Sequence, residues 1–375
     1  MAIRITFVIP SLSAGGAERV MSTVANYFAK QGYSVTLLTL DWGRKPFFKI
    51  DETITQRSLG LLSVSNNIFQ TVIRSLRRSY RLRREIKRSN PDVVVSFMDK
   101  TNVLTLFSLF GSKIPVIVSE HMDSKQGRRM LILLRRIAYR WASRVVVLTK
   151  SMKKYFTNWL ASEQVVIIPN PIRLEDERSN ISNQVKLPKG KLIVAIGRLV
   201  RQKGFDLLIE SFAKVSSNNL DWNLVILGQG QMQGELERLI GSLNLKNRIF
   251  LLGLVPNPLA ILKQADIFAM SSRFEGFPMV ILEAMAQGVA VVSFDCPCGP
   301  SEIIRDKIDG VLVPPENVAA LATTIAKLMR DENERKRLAL RAPEVLERFG
   351  SSRILEMWRR VVDEVYQSGA NSKKP

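Results

Sequence analysis

Short apolar runs alternate with stretches of helical periodicity along most of this chain. Ile3 to Pro10, Ser34 to Leu40, Val93 to Phe97, Val116 to Ser119 and Arg144 to Leu148 are strand-length runs, while Ala17 to Gln31 repeats its apolar positions at helical spacing. Near-continuous apolar strands interleaved with helices predict a parallel sheet covered on both faces. Pro169-Asn170-Pro171 closes this half, and the polar stretch Leu174 to Gln184 reads as a linker. The pattern then restarts. Leu192 to Ile196, Asn223 to Leu227, Ile249 to Leu252, Ile267 to Met270, Val289 to Phe294 and Val311 to Val313 are the second set of strands, and Asn317 to Arg330 is a helix. A last helix, near Ser352 to Gln367, carries Ile354, Trp358, Val361, Val362 and Val365 on one stripe. The expected organisation is two α/β domains, 1–170 and 171–351, followed by this helix, with no internal sequence repeat.

Composition narrows the class. At 375 residues, 46% hydrophobic and 24% charged, the chain can fill two globular cores. No run of eighteen apolar residues occurs, so no transmembrane helix is expected. The opening Ile5 to Pro10 run has only Arg4 ahead of it and is too short for a signal peptide, which makes it a first strand. Cys296 and Cys298, two residues apart, are the only cysteines. That argues against a disulfide framework and for a reducing, cytoplasmic setting. The net charge of +21 is uneven: residues 1–170 hold 27 Lys+Arg against 10 Asp+Glu, and the remainder 28 against 24. The first half is therefore expected to face something anionic.

Chemistry concentrates in Arg273-Phe274-Glu275-Gly276-Phe277-Pro278-Met279-Val280-Ile281-Leu282-Glu283. A strand leads in and a helix follows, so Glu275 falls on the loop and Glu283 in the first turns of the helix. Backbone N–H groups around Pro278 to Ile281 lack partners inside the helix and sit at the positive end of its dipole, an anion seat suited to phosphate. Two carboxylates beside a phosphate would repel it, so they are read as acceptors for hydroxyl donors. Phosphate plus hydroxyls on one ligand describes a nucleotide sugar. A second stretch, Gly197-Arg198-Leu199-Val200-Arg201-Gln202-Lys203-Gly204, follows a strand. Its Arg198 and Lys203 can converge on a diphosphate and stabilise it as it leaves, although two solvated surface cations would look the same. Gly15-Gly16-Ala17-Glu18-Arg19 follows the first strand. It either lets backbone approach a ligand or makes a simple strand-to-helix turn.

These stretches, in this order, resemble the E-x7-E signature and G-R-x4-K-G pattern of retaining glycosyltransferases of family 4, and the resemblance runs from about Ile3 to Trp358. It implies a GT-B fold: two facing Rossmann-like domains with a cleft between them and a C-terminal helix, about 352–375, that crosses back to the first domain. It implies that Glu283 accepts from ribose hydroxyls, that Glu275 contacts the sugar, and that backbone of Gly276, Phe277, Pro278, Met279 and Val280 holds sugar and phosphate. Gly15 and Gly16 would approach the donor from the other domain. Gly228, in Gly228-Gln229-Gly230, would lie near the base. His121, the only histidine, ends an apolar strand, where a structural role is the usual one; the resemblance places it near the sugar and acceptor, as a polar contact rather than a general base. No Asp-x-Asp and no Gly-x4-Gly-Lys-Ser/Thr occurs, so a metal-independent reaction without cofactor is expected. Replacing Glu275 or Lys203 by Ala is expected to abolish transfer and leave the fold intact.

Two basic segments complete the picture. Arg74, Arg77, Arg78, Arg81, Arg83, Arg84, Lys87 and Arg88 share one helix with Val72, Ile73, Leu76 and Tyr80. Between Arg128 and Arg144, Met130, Leu134, Ile137, Ala138 and Trp141 form one stripe and Arg129, Arg136, Arg140 and Arg144 another. The apolar stripes are expected to be core and the cations to face an anionic membrane surface; no nucleic-acid recognition motif appears. The expected protein is a transferase held at the inner face of the membrane. It would move a sugar from a UDP-sugar to a glycolipid or polyprenyl-diphosphate-linked acceptor in glycan or polysaccharide synthesis. A nucleotide-sugar epimerase on the same fold, or a noncatalytic basic membrane adaptor, are the other readings. The first is short of acid/base residues, and the second has no use for Arg198, Lys203, Glu275 and Glu283 together.

Overall fold

The computed structural model describes residues 2–43, 45–61, 68–121, 129–172 and 186–371, with side chains for all of these except 68–75 and 370–371. The expected linker at 174–184, and Arg128, lie outside the described residues, as do the side chains of Val72, Ile73 and Arg74. The chain divides into two compact units, unit 1 (Met1–Pro171 and Ser352–Pro375) and unit 2 (Ile172–Ser351).

Unit 1 is built on seven strands: β1 (Arg4–Ile9), β2 (Ser34–Thr39), β3 (Thr55–Ser58), β4 (Val93–Phe97), β5 (Val116–Ser119), β6 (Arg144–Val147) and β7 (Val165–Ile167). They pair in parallel in the order β3-β2-β1-β4-β5-β6-β7. Helices α1 (Gly16–Lys30), α2 (Ile68–Arg88), α3 (Asp99–Leu109), α4 (Arg129–Ala138) and α5 (Lys150–Thr157) make the crossovers. Unit 2 carries β8 (Lys191–Ile196), β9 (Trp222–Leu227), β10 (Ile249–Gly253), β11 (Ile267–Met270), β12 (Ala290–Phe294) and β13 (Val311–Val313), parallel in the order β10-β9-β8-β11-β12-β13. Its helices are α6 (Phe205–Ser216), α7 (Gln233–Ser242), α8 (Pro258–Leu262), α9 (Met279–Ala286), α10 (Pro300–Ile303), α11 (Val318–Arg330), α12 (Glu332–Arg341) and α13 (Val345–Phe349). A final helix, α14 (Ser351–Asn371), buries Ile354, Trp358, Val361, Val362 and Val365 among Ile5, Phe7 and Phe97 of unit 1.

In each sheet the strand order reverses once, between β1 and β4 in unit 1 and between β8 and β11 in unit 2. Loops at the carboxyl ends of such neighbours diverge to opposite faces and leave a crevice, which is where open α/β sheets bind ligands. Gly15 and Gly16 follow β1; Arg198 and Lys203 follow β8; the Glu275 loop follows β11.

Two features depart from the sequence reading. The polar strand Thr55-Gln56-Arg57-Ser58 and β7 were not anticipated; both are sheet edges, and burial imposes little apolar pattern on the first, while the second is apolar but only three residues long. More consequentially, most of the described apolar stripe residues of the basic helices are not core; of the expected stripes only Ala138 is buried and Leu134 is half-buried. Met130 is 73% exposed and Leu76 66%, and Tyr80, Leu133, Ile137 and Trp141 are exposed as well. Helix α4 turns Arg135 inward beside Ala138. The face also carries Phe107 and Phe110, which pack on Trp141 at 5.3 and 4.4 Å. Arg144 leaves the surface set, lying 3.7 Å from Glu364 of α14.

Candidate active site

Four loops at the carboxyl ends of unit 2's strands interlock. The Gly197–Gly204 loop and the Ser271–Pro278 loop are joined through backbone and side chains. Arg273 N donates to the Gln202 carbonyl at 2.8 Å, Gln202 Nε2 to the Phe274 carbonyl at 3.0 Å, and Ser271 Oγ to the Lys203 carbonyl at 3.1 Å. Gly204 is left-handed (φ 61°), and a Cβ there would lie 2.0 Å from the Ser271 carbonyl oxygen, so only glycine lets the loops approach this closely. Arg273 ties them from outside. Its guanidinium donates to both Asp206 oxygens at 2.9 and 2.7 Å, to Glu316 Oε2 at 2.9 Å and to the Arg201 carbonyl at 2.8 Å.

This clasp brings Lys203 and Glu275, 72 residues apart, to 2.6 Å between Nζ and Oε1. Ser272 Oγ donates to the same Oε1 at 2.7 Å. The side chains are 17% and 8% exposed, so removing one partner strands a mostly buried charge. The expectation that either Ala substitution leaves the fold intact is corrected on this ground. Lys203 still has two further N–H donors and Glu275 its Oε2 for a ligand. Arg198 is exposed and outside this pair.

Helix α9 starts at Met279 with Pro278 as its cap. The N–H groups of Met279 and Val280 have no intrahelical acceptor, whereas Ile281 N donates to the Pro278 carbonyl at 3.1 Å and so drops out of the expected anion seat. Glu283 is 6% exposed and no acid occupies the first turn. It is the fifth residue of α9, within the first turns as expected but past the first, so the ordinary preference of acids for helix starts does not account for it. Phe277 is 7% exposed and meets Phe349 edge-on at 5.6 Å, and Pro278 is buried too; their side chains support the loop and only their backbone is open to a ligand role. The turn after β12 backs the loop. Glu275 N donates to the Pro297 carbonyl at 3.4 Å, Cys298 is left-handed at φ 62°, and a Cβ on Gly299 would lie 2.5 Å from Pro278 Cδ. Strained residues of this kind gather at functional sites. Burial pushes the Cys296 thiol up to about 12, helped by the Glu275 charge, which leaves it unreactive. Gly228 (φ 137°) would place a Cβ 1.9 Å from the Gly197 carbonyl oxygen, so the fold itself requires this glycine.

In unit 1, Gly15 makes room for the Glu18 carboxylate, which a Cβ would meet at 2.1 Å, whereas a Cβ on Gly16 would meet nothing within 4 Å. His121 stacks on Phe97 at 5.1 Å and 22°, and Phe97 on Trp358 at 5.7 Å and 20°. Its Nε2 lies 3.0 Å from Ser119 Oγ, and burial holds the imidazole down at about 3. It is neutral at physiological pH, which suits a hydrogen-bonding contact and not a general acid. Among the described residues, no group of three or more His, Cys, Asp or Glu side chains could hold a metal ion, and no helix is long and apolar enough to cross a membrane.

Asp206, Ser272 and Arg273 were missed by sequence reasoning. The signal available was an arginine two residues before Glu275 with no apolar role.

Two parallel-sheet Rossmann-like units, each with loops at a strand reversal, are the architecture of the GT-B fold. The chain belongs to glycosyltransferase family 4: residues 14–176 match the model described as Glycosyltransferase Family 4, and residues 177–345 that described as Glycosyl transferases group 1. It is 30% identical over 365 residues, covering 97% of this chain and 99% of the relative, to the Campylobacter jejuni GalNAc-alpha-(1->4)-GalNAc-alpha-(1->3)-diNAcBac-PP-undecaprenol alpha-1,4-N-acetyl-D-galactosaminyltransferase. It is 27% identical, covering 88% of this chain and 90% of the relative, to a second C. jejuni enzyme, N-acetylgalactosamine-N,N'-diacetylbacillosaminyl-diphospho-undecaprenol 4-alpha-N-acetylgalactosaminyltransferase. Among solved structures it resembles Anabaena HepE in complex with UDP and glucose, with TM-score 0.79 and 19% identity over 96% of this chain and 99% of that one.

Proposed function

We propose that this glycosyltransferase moves a sugar from a UDP-sugar to a polyprenyl-diphosphate-linked glycan, with retention of anomeric configuration and without a metal, at the inner face of a membrane. The observation that carries the donor assignment is the Lys203–Glu275 pair beside the start of α9, at the strand reversal of unit 2. Lys203 and the Met279 and Val280 amides offer positive charge to a diphosphate, while Glu275 and the buried Glu283 offer acceptors to hydroxyls. Arg198, exposed after β8, adds a second cation as the nucleoside diphosphate departs. Neutral His121 hydrogen-bonds the sugar or acceptor. Gly16, which unit 1 does not itself require to be glycine, leaves room for close approach by the donor. HepE's complex with UDP supports the choice of nucleotide, and the two Campylobacter enzymes' names support the acceptor.

Membrane association rests on the exposed face of α2, α3 and α4. Apolar side chains there, Trp141, Phe110 and Met130 included, stand among exposed Arg77, Arg81, Arg136 and Arg140. A cavity of about 520 Å³ bounded by Leu61, Leu76, Tyr80, Arg77 and Arg81 adjoins it. Apolar and aromatic groups ringed by cations fit an anionic bilayer surface. Incubation with radiolabelled UDP-glucose, UDP-N-acetylglucosamine and UDP-N-acetylgalactosamine, with undecaprenyl-diphosphate-linked glycans in anionic vesicles and EDTA present, tests the assignment. Label entering the lipid fraction supports it. Label remaining in the nucleotide across the whole panel overturns the donor and acceptor assignment, and transfer that requires added metal overturns the metal-free step.

A further inference from the structure

Directly before His121 the chain buries a carboxylate. Glu120 is 1% exposed, at the carboxyl end of β5. Burying an ionisable acid is costly, and an apolar residue of similar volume would serve stability at least as well. Glu120 nonetheless sits among buried polar partners. Its carboxylate accepts from the Tyr139 hydroxyl. The Asn102 amide in turn donates to Tyr139 Oη at 3.0 Å and to the Ser119 carbonyl at 2.9 Å. Asn102 and Arg135 are 0% and 2% exposed, and the Arg135 guanidinium draws on the Glu120 charge while donating to Tyr155 Oη at 3.3 Å. The backbone is gripped at the same point: Glu120 N donates to the Val146 carbonyl at 2.9 Å and Met98 N to the Ser119 carbonyl at 3.1 Å.

Residues from α3, α4, the 3-10 turn Tyr139–Trp141 and β6 thus converge on two consecutive residues, Ser119 and Glu120. The next residue is the only histidine of the chain. The Phe97–Trp358 stack fixes one face of that imidazole, and Ser119 Oγ meets one of its nitrogens. What remains to be fixed is the turn of backbone that delivers the ring, and the buried polar cluster holds that turn.

We propose that Glu120, braced by Tyr139 and Asn102, is a positioning residue that sets the orientation of the His121 imidazole. Its functional meaning rests on the reading of His121 as a sugar or acceptor contact. Burial raises Glu120 to about 7, with Asp99 pushing the same way and Arg135, Tyr139 and Asn102 pulling back. Burial holds His121 at about 3 and puts Tyr139 well above its ordinary value. Among the described residues the charged and titratable groups facing Glu120 are therefore Arg135 of α4, Tyr139 of the 3-10 turn and Asp99 of α3, and near neutral pH the one of these that changes charge is Glu120 itself. The histidine becomes a reporter for its neighbour.

The test is the imidazole ¹H–¹⁵N spectrum of full-length protein labelled with ¹⁵N-histidine and free of tag histidines, followed from pH 5.5 to 8.5. One histidine gives one set of signals, so no assignment is needed. The ring should remain a single neutral tautomer, with shifts that follow one midpoint near pH 7. Glu120→Gln should abolish that midpoint and move the ring signals. Tyr139→Phe, which keeps the carboxylate and serves if Glu120→Gln does not fold, should raise the midpoint by about half a unit or more, because the ionised acid loses a donor. Signals flat across the range, ring signals in both variants that overlay wild type with the same pH course, or an imidazole that itself protonates near pH 6.5 would each overturn the proposal. Turnover of His121→Ala with the UDP-sugar panel separates the two readings. Wild-type turnover in that variant removes the catalytic meaning of His121 while the ring spectrum still decides whether Glu120 positions it.

Discussion

The two units handle charge in opposite ways. Unit 1 holds 32 Lys+Arg against 13 Asp+Glu, a surplus of 19, while unit 2 holds 23 against 21, a surplus of 2. In unit 2 the cations close on acids within the unit. Arg273 clasps Asp206 and Glu316, Asp309 takes Arg305 and Arg348, and Lys203 meets Glu275. In unit 1, among the described residues, Glu85 of α2 lies near Arg57 of β3 and near Arg84 and Arg88 of α2, at 3.6 to 4.0 Å. The large aromatics exposed among the described residues, Trp42, Phe47, Tyr80, Phe107, Phe110 and Trp141, all belong to unit 1. Internal pairing fixes loops to the tolerance that chemistry on a small ligand needs. Surplus cations standing among exposed apolar groups suit an extended anionic surface.

Changes at the paired site should have the largest effect. Lys203→Gln and Glu275→Gln, which keep a hydrogen-bonding group without stranding a full opposite charge beside nothing, should each lower kcat on the order of 10²–10³-fold in steady-state transfer from a UDP-sugar. Lys203→Ala should in addition lower stability by up to about 3–5 kcal/mol in chemical denaturation. Activity within a few-fold of wild type in both Gln variants would show that the pair is only structural.

Charge reversal of Arg77, Arg81 and Arg140 to Glu removes attraction worth about 1 kcal/mol per cation near an anionic bilayer. The triple variant should therefore fall at least about a hundredfold in vesicle affinity by sedimentation. Reversal of Arg238, Lys246 and Arg330 in unit 2 should change it little. Equal losses in the two sets would mean that overall charge, and not the face of unit 1, drives binding.

Two glycines sharpen the contrast at smaller scale. Gly228→Ala forces a Cβ against the Gly197 carbonyl in a left-handed backbone and should cost on the order of 1–3 kcal/mol in thermal or denaturant unfolding. Gly16→Ala meets open space and should change stability by no more than about 0.5 kcal/mol while weakening UDP-sugar affinity. An Ala at Gly16 that leaves donor KM untouched would assign the glycine to the turn alone.

Most of the scaffold was legible because buried parallel strands must be apolar along their length. β4, β5, β11 and β13 appear where their apolar runs predict them. β3 escaped because an edge strand can be as polar as Thr-Gln-Arg-Ser. The α4 stripe was misread for a different reason. Periodicity shows that Met130, Leu134 and Ile137 share a side of the helix, but which side meets the core depends on what packs there, and Arg135 finds buried partners that the pattern cannot display. At the site, the order of motifs placed Lys203 and Glu275 on loops. Their pairing came only with the sheet order that sets β8 beside β11, since nothing local relates two residues 72 positions apart. Glu283 lies in the first turns of α9, where the sequence placed it; that a capping proline and not an acid begins the helix was visible only in the structure.

The central claim is that a nucleoside diphosphate binds to unit 2 at Lys203 and the start of α9. Calorimetric titration of the full chain with UDP, GDP and ADP, in EDTA, for wild type and Lys203→Gln tests it directly. We predict saturable binding of UDP by wild type and at least about tenfold weaker binding by the variant, the loss of one charge-assisted contact. No binding of any of the three nucleotides, or UDP binding equally tight in both proteins, would contradict it.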